Sequence, residues 1–112
     1  MRLLLDTHAL LWALAEPERL GPTARDLITD PAQEVFVSAV SIWEIEIKRE
    51  AGRLEAPADL LREVADADFQ PLPITLEHAC VAGRLPRHHG DPFDRLLIGQ
   101  AIAESLTIVT VD

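Results

Sequence analysis

Short apolar runs alternate with longer segments of helical period along this sequence. The runs at residues 2–5, 35–38 and 107–111 are aliphatic, and an acid follows the first and the last of them directly. Unbroken aliphatic runs of this length are typical of strands buried on both faces of a parallel sheet. The pattern therefore predicts an α/β fold in which a central parallel sheet of four to five strands is flanked by helices in three layers.

Proline and glycine set the expected ends of the helices. Pro22 and Pro92 stand where a first helical residue is expected, and Gly52 stands where a helix should end. A segment with two prolines, residues 69–74, is predicted to be at most an edge strand, because proline cannot donate to a strand ladder. The predicted helices cover residues 7–15, 22–29, 41–51, 58–67 and 76–83, with a last one starting at 92.

The size and composition fit one domain over residues 1–112. The chain is 48% hydrophobic but only 4% aromatic, so we expect an aliphatic core. Neither a signal peptide nor a membrane-spanning run is recognisable. One cysteine, Cys80, leaves no intramolecular disulfide and is expected to be a buried thiol, which fits a cytoplasmic protein.

The net charge of −9 argues against a general nucleic-acid binder, which usually shows a basic face. The cations are nevertheless concentrated in two short segments. Either these are solvated helix ends, or they are contacts for a substrate near the acids. The two groups are Lys48, Arg49 and Arg53, and Arg84, Arg87 and Arg95.

Four acids are expected at one edge of the sheet. Asp6 and Asp112 follow predicted strands, whereas Glu44 and Asp94 lie near the start of predicted helices. In an open parallel sheet, the carboxyl ends of the strands and the N-termini of the following helices meet at the edge where ligands bind. The four carboxylates are therefore predicted to converge.

A purely local role is the alternative for each acid. Acids are favoured in the first turn of any helix. Ser41 and Glu44 have the spacing of a capping box, and Asp91 is a candidate cap with Asp94 two positions after Pro92. Against that role, Glu44 and Asp94 continue apolar helical stripes, where an unpaired charge is costly.

Clustered carboxylates need a counter-charge. Two of them about 4 Å apart repel by roughly 4 kcal/mol at an effective dielectric constant of 20. Such a cluster either takes up protons or holds a cation. Oxygen-only ligation favours Mg²⁺ or Mn²⁺ over zinc.

With these residues located, the chain resembles the PIN-domain ribonucleases, specifically the VapC-type toxins of type II toxin–antitoxin systems. The resemblance rests on LLLDTHALLWAL, FVSAVSIWEIEIK, DPFDRLLIGQA and TIVTVD, which occur in this order over nearly the whole chain. It carries over Asp6, Glu44, Asp94 and Asp112 as the catalytic, metal-binding acids, with Asp91 as the alternative to Asp94. The family continues past its fourth acid, so the C-terminal end at Asp112 is expected to be truncated.

The resemblance implies a PIN-like fold and Mg²⁺- or Mn²⁺-dependent endoribonuclease activity with a metal-activated water. It also implies a small VapB-like antitoxin as partner, and a homodimer. The two tryptophans, Trp12 and Trp43, and the helix at 58–67 are candidate contact surfaces, although a core role is the favoured expectation for either tryptophan, since large aromatic side chains are usually buried. Thr7, Ser41 and Thr110 are candidates to hydrogen-bond the acids, or simple caps and strand hydroxyls. Candidate RNA contacts are Arg95, Arg87, Lys48 and Arg49.

Two other functions remain open from the sequence. A carboxylate-based phosphatase would place its nucleophile at the end of the first strand, but Asp6-Thr7-His8 lacks the second aspartate of that motif. A non-catalytic RNA- or protein-binding module of PIN-like fold would gain nothing from clustered negative charge in binding RNA. The identity of the RNA and the number of metals are not encoded in any recognisable motif.

Overall fold

A four-stranded parallel sheet forms the centre of the molecule, in a computed structural model that describes residues 1–87 and 90–111. The strands are β1 (Arg2–Leu5), β2 (Glu34–Ser38), β3 (Gln70–Leu72) and β4 (Thr107–Val109). Their spatial order is β3-β2-β1-β4, and every neighbouring pair is parallel. The sheet confirms the predicted fold class, with β3 on an edge as Pro71 within it requires.

Helices connect the strands. In the described part of the chain they are α1 (Thr7–Ala15), α2 (Pro22–Thr29), α3 (Ala39–Glu50), α4 (Leu60–Asp66), α5 (Leu76–Gly83) and α6 (Pro92–Glu104), with a short 3-10 helix at Pro17–Arg19. None of these helices combines the length and the apolarity that a bilayer crossing requires.

Successive side chains of the central strand enter two separate cores. Leu3 and Leu5 pack with α1, α3 and α4 on one face of the sheet, and Leu4 packs with Phe36 and α6 on the other. All three leucines are fully buried, which is worth roughly 1.5–3 kcal/mol each. The two cores give the three layers that the sequence predicted.

A buried polar network joins α5 to α6. His78 and Gln100 are both 0% exposed, and Gln100 Nε2 lies 3.3 Å from His78 Nδ1. His78 Nδ1 also accepts the main-chain N–H of Thr75 at 3.1 Å, so the imidazole proton is on Nε2. His78 Nε2 lies 3.1 Å from Glu104 Oε2. The two helices also pack closely, since a Cβ on Gly99 would lie 2.8 Å from the Ala82 Cβ.

Several local predictions are wrong. Helix α3 starts at Ala39 with Ser38 as its cap, because the Ser38 hydroxyl accepts the Val40 N–H, so Ser41 and Glu44 do not form a capping box. Helix α4 is shorter than 58–67, because Asp59 caps it. Strand β4 ends at Val109 rather than at 111. The Cys80 side chain is exposed rather than buried.

Candidate active site

Three of the predicted acids lie where the parallel strands end. Asp6 directly follows β1 and caps α1, with its Oδ1 accepting the Ala9 N–H at 2.8 Å. Its own N–H donates to Val109 O at 3.1 Å, which ties it to the end of β4. Asp94 lies in the first turn of α6, and Glu44 lies in the second turn of α3.

Glu44 is buried, and each of its two carboxylate oxygens accepts a hydrogen bond from a side chain. Only 5% of the residue is exposed. Its Oε1 accepts a 2.6 Å hydrogen bond from the Thr7 hydroxyl, and Ser41 Oγ lies 3.3 Å from the same hydroxyl. Lys48, one turn further along α3, donates to Oε2 at 2.5 Å. The counter-charge of Glu44 is therefore a lysine of its own helix, which the sequence argument overlooked although the two residues have i, i+4 spacing.

The pKa values of the other two acids, Asp6 and Asp94, are raised in part by neighbouring negative charges. Burial is the main cause that raises the pKa of Asp6; the negative charges of Asp94 and Glu44 raise it further, while the Ala9 N–H and His8 lower it. Partial removal from water likewise raises the pKa of Asp94, with Asp91 and Glu44 adding to the effect and Lys48 and His8 opposing it. The fold thus brings Asp6, Glu44 and Asp94 into one region of negative potential.

The chemistry of these donors suits a hard cation, but the side chains do not form a closed ligand set. Within residues 1–87 and 90–111, no three Asp, Glu, His or Cys side chains are arranged to hold a metal ion. Asp112, the fourth predicted acid, lies outside the described residues. The assignment of the four acids as metal ligands stays a prediction.

Asp91 acts as a helix cap in this structure. Its Oδ1 accepts the N–H groups of Phe93 and Asp94 at 2.8 and 3.3 Å. Its charge also contributes to the raised pKa of Asp94. Thr110 follows β4 at the same edge of the sheet and is exposed.

Two of the candidate RNA contacts hold the main chain instead. The Arg95 guanidinium donates to the carbonyl groups of Ala82, Gly83, Leu85 and Pro86, so it fixes the segment that follows α5. Arg49 donates to the carbonyls of Ala56 and Pro57 and pairs with Glu46. Arg87 is exposed. A role of these arginines in binding RNA stays a prediction.

His8 and Phe93 were not among the predicted site residues, and Trp43 was predicted only as a contact surface or a core residue. His8 is exposed, and its charge lowers the pKa of both Asp6 and Asp94. The Trp43 and Phe93 rings meet edge to face, with centroids 5.4 Å apart. Trp43 and Phe93 each directly precede a predicted acid in the sequence, and this adjacency could have identified both as candidates.

A cleft of about 730 Å³ lies at the opposite end of the sheet. Glu34 and Gln70, which begin β2 and β3, line it together with Phe69 and Leu20. We place the candidate site at the acids rather than in this cleft. The acids lie beyond the carboxyl ends of the strands, where open parallel sheets bind their ligands, and the pKa values of Asp6 and Asp94 are raised.

Comparison with known proteins defines the class of this fold and site. The PIN domain family model matches residues 3–112, and the chain belongs to this family. It is 34% identical over 113 residues to ribonuclease VapC22 of Mycobacterium tuberculosis (strain ATCC 25618 / H37Rv), in an alignment that spans 97% of this chain and 85% of that protein. The fold is similar to a chain in the crystal structure of VapBC2 from Rickettsia felis bound to a DNA fragment from their promoter. That match has a TM-score of 0.70 and 15% identity, over 100% of this chain and 88% of the other.

Proposed function

We propose that this protein is a metal-dependent endoribonuclease and the toxin of a toxin–antitoxin pair in the cytoplasm. The observation that carries the proposal is the position of Asp6, Glu44 and Asp94 at the carboxyl edge of the sheet, where the charges of Asp94 and Glu44 raise the pKa of Asp6 and the charge of Glu44 raises the pKa of Asp94. The relationship to a ribonuclease at 34% identity supports the same activity.

Asp6 and Asp94 would hold the cation, Mg²⁺ or Mn²⁺, with Asp112 as a further ligand. Their raised pKa values mean that the two carboxylates are destabilised as anions, so that a cation gains more from binding them than from binding exposed acids. A bound divalent ion supplies a Lewis acid that activates water and offsets charge at a phosphodiester during its displacement.

Glu44 would orient the attacking water rather than bind the cation. Its carboxylate is fixed from one side by Thr7 and from the other by Lys48, so its position does not depend on a ligand. A fixed carboxylate at this edge can accept a hydrogen bond from the attacking water and hold it in line with the phosphate. Lys48, next to it, limits the repulsion between the acids and an incoming phosphate chain.

Cleavage of a labelled RNA pool tests the proposal. The wild-type protein should cleave internally with Mg²⁺ or Mn²⁺ and stop when a chelator is added. Asp6→Asn should lose at least about 100-fold in rate, because asparagine keeps the helix cap but not the charge. Asp26→Asn, a change of an exposed acid on α2, is the matched control and should cleave like the wild type.

The rival functions give different products. Release of inorganic phosphate from a monoester without cleavage of RNA would indicate the phosphatase. RNA binding without any cleavage would indicate the non-catalytic module. Cleavage that resists the chelator, or full activity of Asp6→Asn, would refute the mechanism.

The biological part of the proposal has its own test. Expression of the wild-type chain in bacteria should arrest growth, whereas Asp6→Asn should not. Co-expression of a small VapB-like protein encoded beside it should restore growth, and light scattering should show whether the free toxin is the expected homodimer. Equal arrest by both variants would separate toxicity from RNA cleavage.

A further inference from the structure

An exposed tryptophan stands beside the candidate site. The chain has two tryptophans, three phenylalanines and no tyrosine, so large aromatic rings are scarce. Trp43 is nevertheless 58% exposed, which contradicts a core role for it. By contrast, Trp12 packs against the core and beneath the Arg19 guanidinium, 4.2 Å from its ring centroid.

The partner of Trp43 is fixed to the core. Phe93 packs against the buried cluster formed by Leu4, Phe36 and Leu97, and its ring meets that of Trp43 at an angle of 73°. The edge-to-face contact holds the indole across the gap between α3 and α6. A ring held in this way loses little further conformational entropy when a ligand packs on it.

A cation lies close to the aromatic pair. Trp43 precedes Glu44 on α3 and Phe93 precedes Asp94 on α6, so the two rings come from the helices that carry these acids. Lys48 Nζ lies 5.9 Å from the Phe93 ring centroid while it contacts Glu44. Ile47, one turn after Trp43 on α3, is 43% exposed and extends the apolar surface.

We propose that the Trp43–Phe93 pair is a stacking platform for an unpaired base of the RNA, next to the phosphate that is cleaved. The proposal rests on the proposed ribonuclease function and adds a subsite to it. Aromatic rings with a nearby cation are the usual surface for single-stranded nucleic acid, because each base offers a flat face that stacks. Base pairing would hide that face, so the platform predicts a preference for single-stranded RNA.

A protein partner has a better-suited surface elsewhere. A groove of about 440 Å³ is lined by Ile42, Leu61, Val64 and Leu72, where α3, α4 and the edge strand β3 meet. Its lining is almost wholly apolar and lacks charged side chains. The aromatic pair, in contrast, lies beside the Lys48 ammonium on the two helices that carry Glu44 and Asp94, which suits a phosphodiester chain more than an apolar helix.

Three variants test the platform by steady-state cleavage of a single-stranded RNA. Trp43→Leu should raise KM about tenfold and change kcat less than twofold, since loss of a stacked base costs roughly five- to 100-fold in affinity. Trp43→Phe keeps a ring and should stay within about threefold of the wild-type KM. Leu76→Ala, at an 88% exposed residue of α5, is the control and should match the wild type.

Tryptophan fluorescence gives a readout that does not need cleavage. In a Trp12→Phe background, a single-stranded RNA oligonucleotide added in chelator should quench the emission of Trp43, and a duplex of the same sequence should not. An unchanged KM in Trp43→Leu, or no quenching by an RNA that the protein cleaves, would overturn the platform and leave the ribonuclease proposal intact.

The same variants distinguish the remaining outcomes. If the wild type cleaves no RNA, the proposed function fails, and the fluorescence titration decides the platform. Quenching by the single-stranded RNA but not by the duplex would then support the platform, and no quenching would overturn it. If Trp43→Leu changes the mass in light scattering while KM stays constant, the ring contacts protein and the platform is wrong. If Trp43→Leu fails to fold, Trp43→Phe and the fluorescence titration carry the test.

Discussion

Two polar clusters in this molecule solve the problem of burial in opposite ways. In the His78 network, an imidazole, an amide and a carboxylate supply donors and acceptors to one another between α5 and α6. At the sheet edge, Asp6, Glu44 and Asp94 supply only acceptors; burial raises the pKa values of Asp6 and Asp94, and the negative charges of neighbouring acids raise them further. Complementary groups stabilise a fold without a ligand, whereas like charges lower its stability until a cation or proton arrives.

Whether neighbouring polar groups complement or repel one another distinguishes structural from functional residues more reliably than their burial does. His78 and Gln100 are less exposed than Asp6 or Asp94, and the partners of the His78 ring and of the Gln100 Nε2 group lie within the chain. Glu44 is intermediate in character, because it is buried like His78 but has its own cation, Lys48. We therefore expect changes at the network to alter stability and changes at the acids to alter activity.

The largest effect should come from Asp94→Asn. We expect RNA cleavage to fall about 1,000-fold, because the substitution removes a charged oxygen ligand while the Asp91 cap of α6 remains. Initial rates at saturating Mg²⁺ measure the effect. Asp91→Asn, which keeps the cap, should lose less than about tenfold; the reverse order would make Asp91 the ligand.

His78→Ala should lower stability and leave RNA cleavage almost unchanged. Its loss leaves buried groups of Gln100 and Thr75 without a partner, which should cost roughly 2–4 kcal/mol of unfolding free energy. Thermal unfolding should show Tm lower by about 8–15 °C. Cleavage by the folded variant at low temperature should stay within about threefold; a 100-fold loss would place the network in the catalytic machinery.

Lys48→Met sharpens the comparison at Glu44. Without the lysine, the acids have a more negative potential, so Mn²⁺ should bind roughly threefold to tenfold tighter. Isothermal titration measures this, with Arg62→Met on α4 as a control that removes the same charge from an exposed position. Weaker Mn²⁺ binding by Lys48→Met would show that the lysine mainly holds Glu44 in place.

The smallest effect is a gain in stability without metal. Because the pKa of Asp94 is raised in the folded state, the folded protein holds this proton more tightly than the unfolded chain does. This stabilisation is complete below the ordinary pKa of 3.8 and is lost as the pH rises through the raised value. At neutral pH in chelator, Asp94→Asn should therefore raise Tm by about 2 °C, a gain that solvent screening of the exposed side chain keeps small. A lower Tm for this variant would mean that neither burial nor the charges of Asp91 and Glu44 destabilise the Asp94 carboxylate.

The sequence predicted what depends on local chemistry. Pro92 after Asp91 defined the start of α6, and the two prolines of residues 69–74, one of which is Pro71 in β3, placed that strand at an edge. The aliphatic runs defined three of the strands, because a strand buried on both faces admits no polar alternation.

Other features depended on choices that the local sequence leaves open. Ser38 and Ser41 are both capable caps, and the spacing of Ser41 and Glu44 favoured the wrong one. Contacts between residues far apart in the chain were not visible: His78 meets Glu104 across 26 positions. The edge-to-face contact of Trp43 and Phe93 likewise depends on how α3 and α6 pack.

The central claim is that acids from different parts of the chain share one cation. Mn²⁺ binding measured by electron paramagnetic resonance tests it directly in the wild type, Asp6→Asn, Asp94→Asn and the control Asp26→Asn. We predict that Asp6→Asn and Asp94→Asn each weaken binding at least about tenfold, while Asp26→Asn leaves it unchanged. Equal affinity in all four proteins would show that these carboxylates do not meet at a metal.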